Sequence, residues 1–393
     1  MSPGPISRSP DLRQLRDEGY DIAISPHAQL IIRDIPYVGA GGEIRRGAMV
    51  STLNLSAEVA ARPDTHVVYF IGEHPCDKHG NPLGKIVIGS QNLDIGEGSV
   101  QALTFSSKPP EGYADFHQKV TSYIRIVSAP AQALDPQVTA QTYPVIESDD
   151  PESVFEYLET ASSRAGIESA TEKLKMDKIA IIGLGGTGSY LLDLVAKTPV
   201  REIHLYDGDS FLQHNAFRAP GAASLTDLSE ARNKAAYWRD RYAPMRRNIF
   251  AHEDRISEAN VEELGNMVFV FICIDEGPVK KLIVEHLEAS KVEFIDVGMG
   301  VFLSEGSLGG QLRTTTSTVA KRSHVHDKKR ISFSEGAVDD LYQRNIQIAD
   351  LNALNAALAV IKWKKLRGFY IDLEAEHFSI YQIDGNHLLN EDG

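Results

Sequence analysis

The chain has 393 residues, a formal net charge of −14 at pH 7, 42% hydrophobic residues and two cysteines. That length accommodates two or three domains with a sizeable core. The acidic balance argues against a general nucleic-acid binder, which needs a basic face, two cysteines cannot form a disulfide framework, and no stretch is long or apolar enough to span a membrane.

The first residues, MSPGPISRSPD, are polar and proline-rich without the apolar segment of a signal peptide, so a cytoplasmic location is expected. A short helix over DLRQLRDEG follows. From Asp21 the period changes to two: DIAISPHAQLIIRDIPYV, THVVYFIG, GKIVIGS and KVTSYIRIVSAP read as strands separated by Gly and Pro turns. Residues 1–128 are therefore expected to form a smaller, β-rich domain. Within it His74, Cys76 and His79 lie close together in HPCDKH, and thiolate and imidazole are good zinc ligands. The spacing is not that of a common zinc motif, and a polar turn at Gly80-Asn81-Pro82 is the simpler reading. Nothing around Cys76 predicts a lowered thiol pKa, as a nucleophile would need.

Residues 129–151 are rich in Pro, Ala and Gln and end in an acidic run, as a linker would. The rest, 152–393, reads as a second domain. ESVFEYLETASSRAGIESATEKLK has apolar positions at helical spacing. Lys178 to Gly188, KIAIIGLGGTG, then joins a buried strand to a glycine-rich turn in which Gly183, Gly185 and Gly188 have G-x-G-x-x-G spacing, with Gly186 between them. Such glycines let backbone approach a nucleotide, and the helix start at SYLLDLVA offers free N–H groups. About 20 residues on, the strand EIHLY leads into Asp207, where a carboxylate can hold ribose hydroxyls. TDLSEARNKAAYWRDRYAP reads as a helix, NMVFVFICID and KVEFIDVGMG as buried strands, and QIADLNALNAALAVIKWKKLRG as a strong helix of core or dimer-interface type. Strand and helix in alternation imply an α/β fold with a doubly wound, mostly parallel Rossmann-like sheet.

Asn215, Arg218, Lys234 and Asp275 can converge at the strand ends that form the ligand crevice of such a sheet. Two cations stabilise charge developing at phosphorus, and a strand-end carboxylate can hold a Mg2+ that bridges phosphate oxygens.

At this point the chain resembles the family of ThiF, MoeB and the ubiquitin-activating enzymes, well over residues 163–310 and more loosely to about 372. GLGGTG is similar to the family's glycine loop, and DGDSFLQHNAFR to its D-x-D, six-residue, N-x-x-R signature. The resemblance implies that Gly183, Gly185, Gly186 and Gly188 cradle ATP and that Asp207 binds ribose. It assigns Asn215, Arg218 and Lys234 to the phosphates and Asp275 to magnesium. SSRAG resembles the S-R-Q segment, which would make Arg164 the arginine that reaches the ATP of the opposite protomer in a homodimer. It further implies adenylation of the C-terminal carboxylate of a ubiquitin-like or sulfur-carrier protein by ATP and Mg2+, with Arg164, Arg218, Lys234 and Asp275 as the catalytic set. The β-rich domain would recognise that carrier or a conjugating enzyme.

Three departures stand out. Ala219 replaces the Gln that usually follows the signature Arg, the paired C-x-x-C knuckles are absent, and no cysteine follows Cys273. Cys273 itself reads as core within VFVFICID. A hydroxyl from Thr314 to Thr318 could replace the missing thiol, with His324 and His326 nearby, but a Thr-rich loop or edge strand is the simpler expectation. The alternatives are an NAD-dependent oxidoreductase, since the glycine loop and acid serve dinucleotides equally, and a catalytically silent scaffold. The first gives no role to Lys234 or Asp275, and the second no reason to keep them.

Overall fold

The computed structural model describes residues 4–96, 98–148, 152–334 and 346–393. The chain divides into two compact units, Met1–Ser153 with Tyr157–Arg164, and Val154–Glu156 with Ala165–Gly393.

The first unit is built on an antiparallel sheet of six strands. In chain order the strands are β1 (Ile22–Ile24), β2 (Gln29–Val38), β3 (Ile44–Thr52), the short pair β4 (Leu55–Ser56) and β5 (Val59–Ala60), β6 (Val67–Ile71), β7 (Val87–Asp94) and β8 (Ser99–Ser106). The six-stranded sheet has the order β1-β2-β3-β6-β8-β7, while β4 and β5 pair only with each other. Its core joins Leu30, Ile32, Phe70 and Phe105 to Leu12 and Leu15 of the helix Pro10–Asp17 and to a long helix, Phe116–Leu134.

That long helix is a correction: KVTSYIRIVSAP reads as a strand from its Val, Ile and Tyr content, yet it lies inside Phe116–Leu134. Asp115 caps the helix by accepting from the Gln118 N–H, and Phe116, Val120, Tyr123, Ile124, Val127 and Ala131 form one buried stripe. Burial along a 3.6-residue period outweighs the strand preference of β-branched residues. The last residues of the expected linker, 149–151, lie outside the described residues.

The second unit holds an eight-stranded sheet: β9 (Lys178–Ile182), β10 (Glu202–Tyr206), β11 (Ile249–His252), β12 (Phe269–Ile272), β13 (Glu293–Ser304), β14 (Ser307–Ser317), β15 (Phe378–Gln382) and β16 (His387–Glu391). The order is β11-β10-β9-β12-β13-β14-β15-β16. The first five in that order are parallel, and β14, β15 and β16 add on in antiparallel fashion. Ile179, Ile181, Phe269 and Phe271 are fully buried, as expected of strands covered on both faces. From β9 the chain moves outward to β10 and β11, then returns to β12 on the other side. The crevice between β9 and β12 is thus a topological switch point, where ligands of open α/β sheets bind.

Several local expectations change. ESVFEYLET carries no helix; Phe155 bridges Arg246 and Tyr157 bridges Glu147, and short helices begin only at Ala161. The helix expected over TDLSEARNKAAYWRDRYAP is broken in two, Leu225–Ser229 and Lys234–Tyr242, because the Asn233 side chain accepts from the Ala235 and Ala236 N–H groups and starts a new N-terminus. The Thr run is neither loop nor edge. Thr314 to Ser317 are buried in β14 between β13 and β15, a position that offers no accessible nucleophile. His324 is buried with its Nε2 3.0 Å from the Thr316 carbonyl.

Candidate nucleotide site

A cavity of about 620 Å3 opens at the C-terminal ends of β9, β10 and β12 and continues along β13 and β14. Its floor is the glycine loop. Gly183 has φ +86°, and a Cβ there would stand 2.8 Å from the Cys273 carbonyl oxygen. A Cβ on Gly188 would lie 1.8 Å from the Gly183 carbonyl, so only glycine lets the helix Gly186–Val195 start this close to β9. Gly185 differs from both: nothing stands within 4 Å of its missing Cβ, which leaves room for a ligand. Gly186 is held from behind, with a Cβ position 2.0 Å from Asn352 Nδ2 on the C-terminal helix Ala349–Leu366.

Asp207, just past β10, ties the loop together. Its Oδ2 accepts from the Leu184 N–H at 2.7 Å and its Oδ1 from the Asp209 N–H at 2.9 Å. Lys234, 6% exposed at the start of its helix, donates to Asp209 Oδ2 at 2.8 Å and stands 3.8 Å from Asp207 Oδ1. The hydrogen bond from Lys234, aided by Arg255, holds the Asp209 carboxyl below its ordinary pKa. Arg255 also pairs with Glu276 at 2.9 Å. Its guanidinium therefore joins the loop after β10 to the loop after β12, across the end of β9.

Arg218 lines the same cavity, and its Nε is buried without a hydrogen-bond partner. Burial pulls its pKa down, and the charge of Asp275 opposes that pull. Asp275 lies three residues beyond the end of β12, also on the cavity wall, while Glu276 takes the N-cap position of the helix Gly277–Ala289. Cys273 borders the cavity just past β12 rather than inside it. Burial raises its thiol pKa, which disfavours the thiolate that a nucleophile needs.

The cavity thus brings together Gly183, Gly185, Gly186, Asp207, Arg218, Lys234 and Asp275. Gly188 and Asn215 stand behind that wall. Asn215 Oδ1 accepts from the Leu212 N–H at 2.8 Å and so shapes the loop that presents Arg218, while its buried Nδ2 has no partner. Arg164 belongs to the other unit, in the helix Ala161–Ala165, where its guanidinium lies 5.4 Å from the Tyr143 ring centroid. The site offers an anion two cations, an unpartnered arginine N–H and the N-terminal end of a ten-residue helix.

Sequence reading missed the contributions of Arg255, Asn352, Asn355, Lys280, Asp296 and Arg313. Asn352 accepts from Thr187 Oγ1 at 2.8 Å and donates to the Arg218 carbonyl at 3.2 Å, clamping the glycine helix to the arginine loop. Two asparagines on the buried face of an otherwise apolar helix, in LNALNAALAV, were the available signal. In the first unit Cys76 is buried and donates to the His74 carbonyl at 3.4 Å. Among the described residues no cluster of three or more His, Cys, Asp or Glu side chains could hold a metal, and no helix is long and apolar enough to cross a membrane.

Both parts of the chain resemble known families. Residues 159–334 match the ThiF family, and residues 10–160 match a domain of unknown function, DUF6791. Among solved structures, PaaA is similar at 17% identity over 57% of this chain and 76% of its own, with a TM-score of 0.43. E. coli MccB with ATP gives 16% identity over 59% and 68%, TM-score 0.44. E. coli tRNA N6-threonylcarbamoyladenosine dehydratase, TcdA, with AMP gives 18% over 53% and 92%, TM-score 0.39. No curated protein sequence matches the chain.

Proposed function

We propose, from the ThiF-family domain over residues 159–334, that this chain adenylates the C-terminal carboxylate of a ubiquitin-like or sulfur-carrier protein. The family supports ATP-dependent adenylation in general, and the carrier is our own assignment. The observation that carries the reading is the convergence of Arg218, Lys234 and Asp275 on the cavity floored by the glycine loop. A dinucleotide site would need the loop and Asp207 alone.

The carrier's carboxylate is ionised at neutral pH and needs no general base. It attacks the α-phosphorus in line, the bond from that phosphorus to the bridging oxygen breaks, and pyrophosphate leaves with the electron pair, giving acyl-adenylate. Arg218 stabilises the charge that builds on the α-phosphate oxygens, and its unpartnered Nε–H marks it as a donor awaiting an acceptor. Lys234 has three N–H donors, of which Asp209 occupies one. Asp207 holds the ribose. Asp275 fits Mg2+, which is commonly held by one or two carboxylates together with substrate phosphates and would neutralise charge on them. Arg164 extends the set if it reaches the nucleotide of a second copy in a homodimer, as the family resemblance implies. The first unit, with its edge strands and DUF6791 match, serves to recognise the carrier or a conjugating enzyme.

Calorimetry with ATP and NAD tests the reading against its oxidoreductase alternative. The account expects ATP binding strengthened by Mg2+ and no NAD binding. Preference for NAD would replace it.

A further inference from the structure

The cavity has a second polar wall, distant from the glycine loop. Asp296, on β13, is completely buried, and each of its oxygens faces a different cation. Lys280, from the helix Gly277–Ala289, approaches Oδ1 at 2.7 Å, and Arg313, from β14, donates to Oδ2 at 2.5 Å. A Cβ on Gly298 would stand 2.7 Å from Arg313 Nη2, so β13 gives up a side chain where the guanidinium crosses to Asp296. One carboxylate offsets one cation, and the cluster therefore keeps a positive charge. Burying a surplus cation is costly unless an anion joins it, and a pin between strands would need only one. The surplus faces the cavity, which Lys280, Arg313 and Gly298 all line.

Asn355 adds an independent sign of a ligand. It is 1% exposed on the C-terminal helix and lines the same wall. Its Nδ2 donates to the Gly298 carbonyl at 3.1 Å, while its Oδ1 is buried with no hydrogen-bond partner. An orphaned acceptor beside a surplus cation matches a group that is anionic at one end and an N–H donor next to it. The C-terminal residue of a peptide has this chemistry. β14 lies three places from β9 in the sheet order, roughly 14 Å at the usual strand spacing, so Arg313 is a docking position that the terminus leaves in order to come within about 3.5 Å of the α-phosphorus. A phosphate on the glycine loop and a carboxylate on Arg313 thus occupy different halves of one cavity.

We propose that Arg313, oriented by Asp296 and Lys280, receives the substrate's C-terminal carboxylate before its attack, with Asn355 Oδ1 accepting from the N–H of the same terminal residue. The proposal rests on the adenylation reading. Arg313 is the substrate-binding group, and Asp296 and Lys280 are positioning residues.

The test uses the full chain saturated with a non-hydrolysable ATP analogue, and titrates glycylglycine against glycylglycine amide, the same probe without the negative charge. Wild type is expected to bind the carboxylate about tenfold more tightly than the amide. Arg313→Gln should erase that preference and Arg313→Lys should restore part of it, both keeping the affinity for the ATP analogue, which also reports that they are folded. Equal binding of the two dipeptides by wild type overturns the proposal. So does an Arg313→Gln protein that loses the nucleotide analogue, since the wall would then be a phosphate site. Failure of wild type to bind the analogue at all would instead count against the adenylation reading itself.

Discussion

Asp207 is asked to do two things at once, and replacing it separates them. In the structure its oxygens accept from the Leu184 and Asp209 N–H groups at 2.7 and 2.9 Å, fastening the glycine loop to the loop after β10. Hydrogen bonds to a charged group are worth about 1.5–3 kcal/mol each, so Asp207→Ala removes about 3–6 kcal/mol of local fastening before relaxation. In our account the same carboxylate has lone pairs left for ribose hydroxyls. Loss of one such bond, again about 1.5–3 kcal/mol, weakens binding by roughly 10- to 100-fold. Loop damage lowers affinity for every nucleotide, whereas the ribose contact is felt only by a nucleotide with the hydroxyl. Calorimetry with ATP and 3′-deoxy-ATP therefore isolates it as a ratio. Wild type should prefer ATP by about tenfold, and Asp207→Ala should bring the two within about twofold. A mutant that binds both more weakly but keeps the wild-type ratio would refute the ribose role and leave Asp207 a loop fastener only.

Other perturbations probe the frame around the site. Gly188→Ala places a Cβ 1.8 Å from the Gly183 carbonyl and should disrupt the loop and abolish ATP binding with a lower unfolding midpoint; Gly185→Ala, which meets no protein atom, should abolish binding with the midpoint kept. Arg246, 2% exposed, donates to the carbonyls of Ala196, Thr198 and Val200 after the glycine helix. Arg246→Met should destabilise the second unit by about 3 kcal/mol, read by urea unfolding, as losses of buried charged hydrogen bonds do. Lys119 is fully buried in the first unit with Ser51 Oγ at 2.9 Å, and burial lowers its pKa to about 8 from 10.5. Between those values the unfolded chain binds more protons than the folded one, so stability rises with pH over that window, by at most about 3 kcal/mol. Lys119→Met should flatten that rise and stabilise the unit at pH 7, which urea titrations at pH 7 and 10 would show.

The parts of this protein that were legible in its sequence are those whose physics is local. The glycine loop, the run of apolar residues before it and Asp207 after the next strand lie within one β-α-β unit, and backbone needs dictate their spacing. That Arg218, Lys234 and Asp275 line one cavity was legible because they follow that unit in order. The Lys280, Asp296 and Arg313 wall was not, because its members come from a helix and two strands and meet only once β13 and β14 pair. The same holds for Asn352 and Asn355, which look like defects in an apolar helix until the cavity is seen. In the first unit the Phe116–Leu134 helix was hidden by β-branched residues whose strand preference its buried stripe overrides. Asn233 shows the reverse: one short side chain, capping two N–H groups, split a helix that periodicity alone would continue.

If a carboxylate is joined to AMP in this cavity, ATP–pyrophosphate exchange should reveal it, run with wild type and Asp275→Ala alongside ubiquitin-like and sulfur-carrier proteins from the same genome. Exchange should require one carrier with a free C-terminal carboxylate and should vanish in Asp275→Ala. A wild-type protein that binds ATP yet exchanges no pyrophosphate with any carrier would contradict it, and would identify the domain as a nucleotide-binding scaffold.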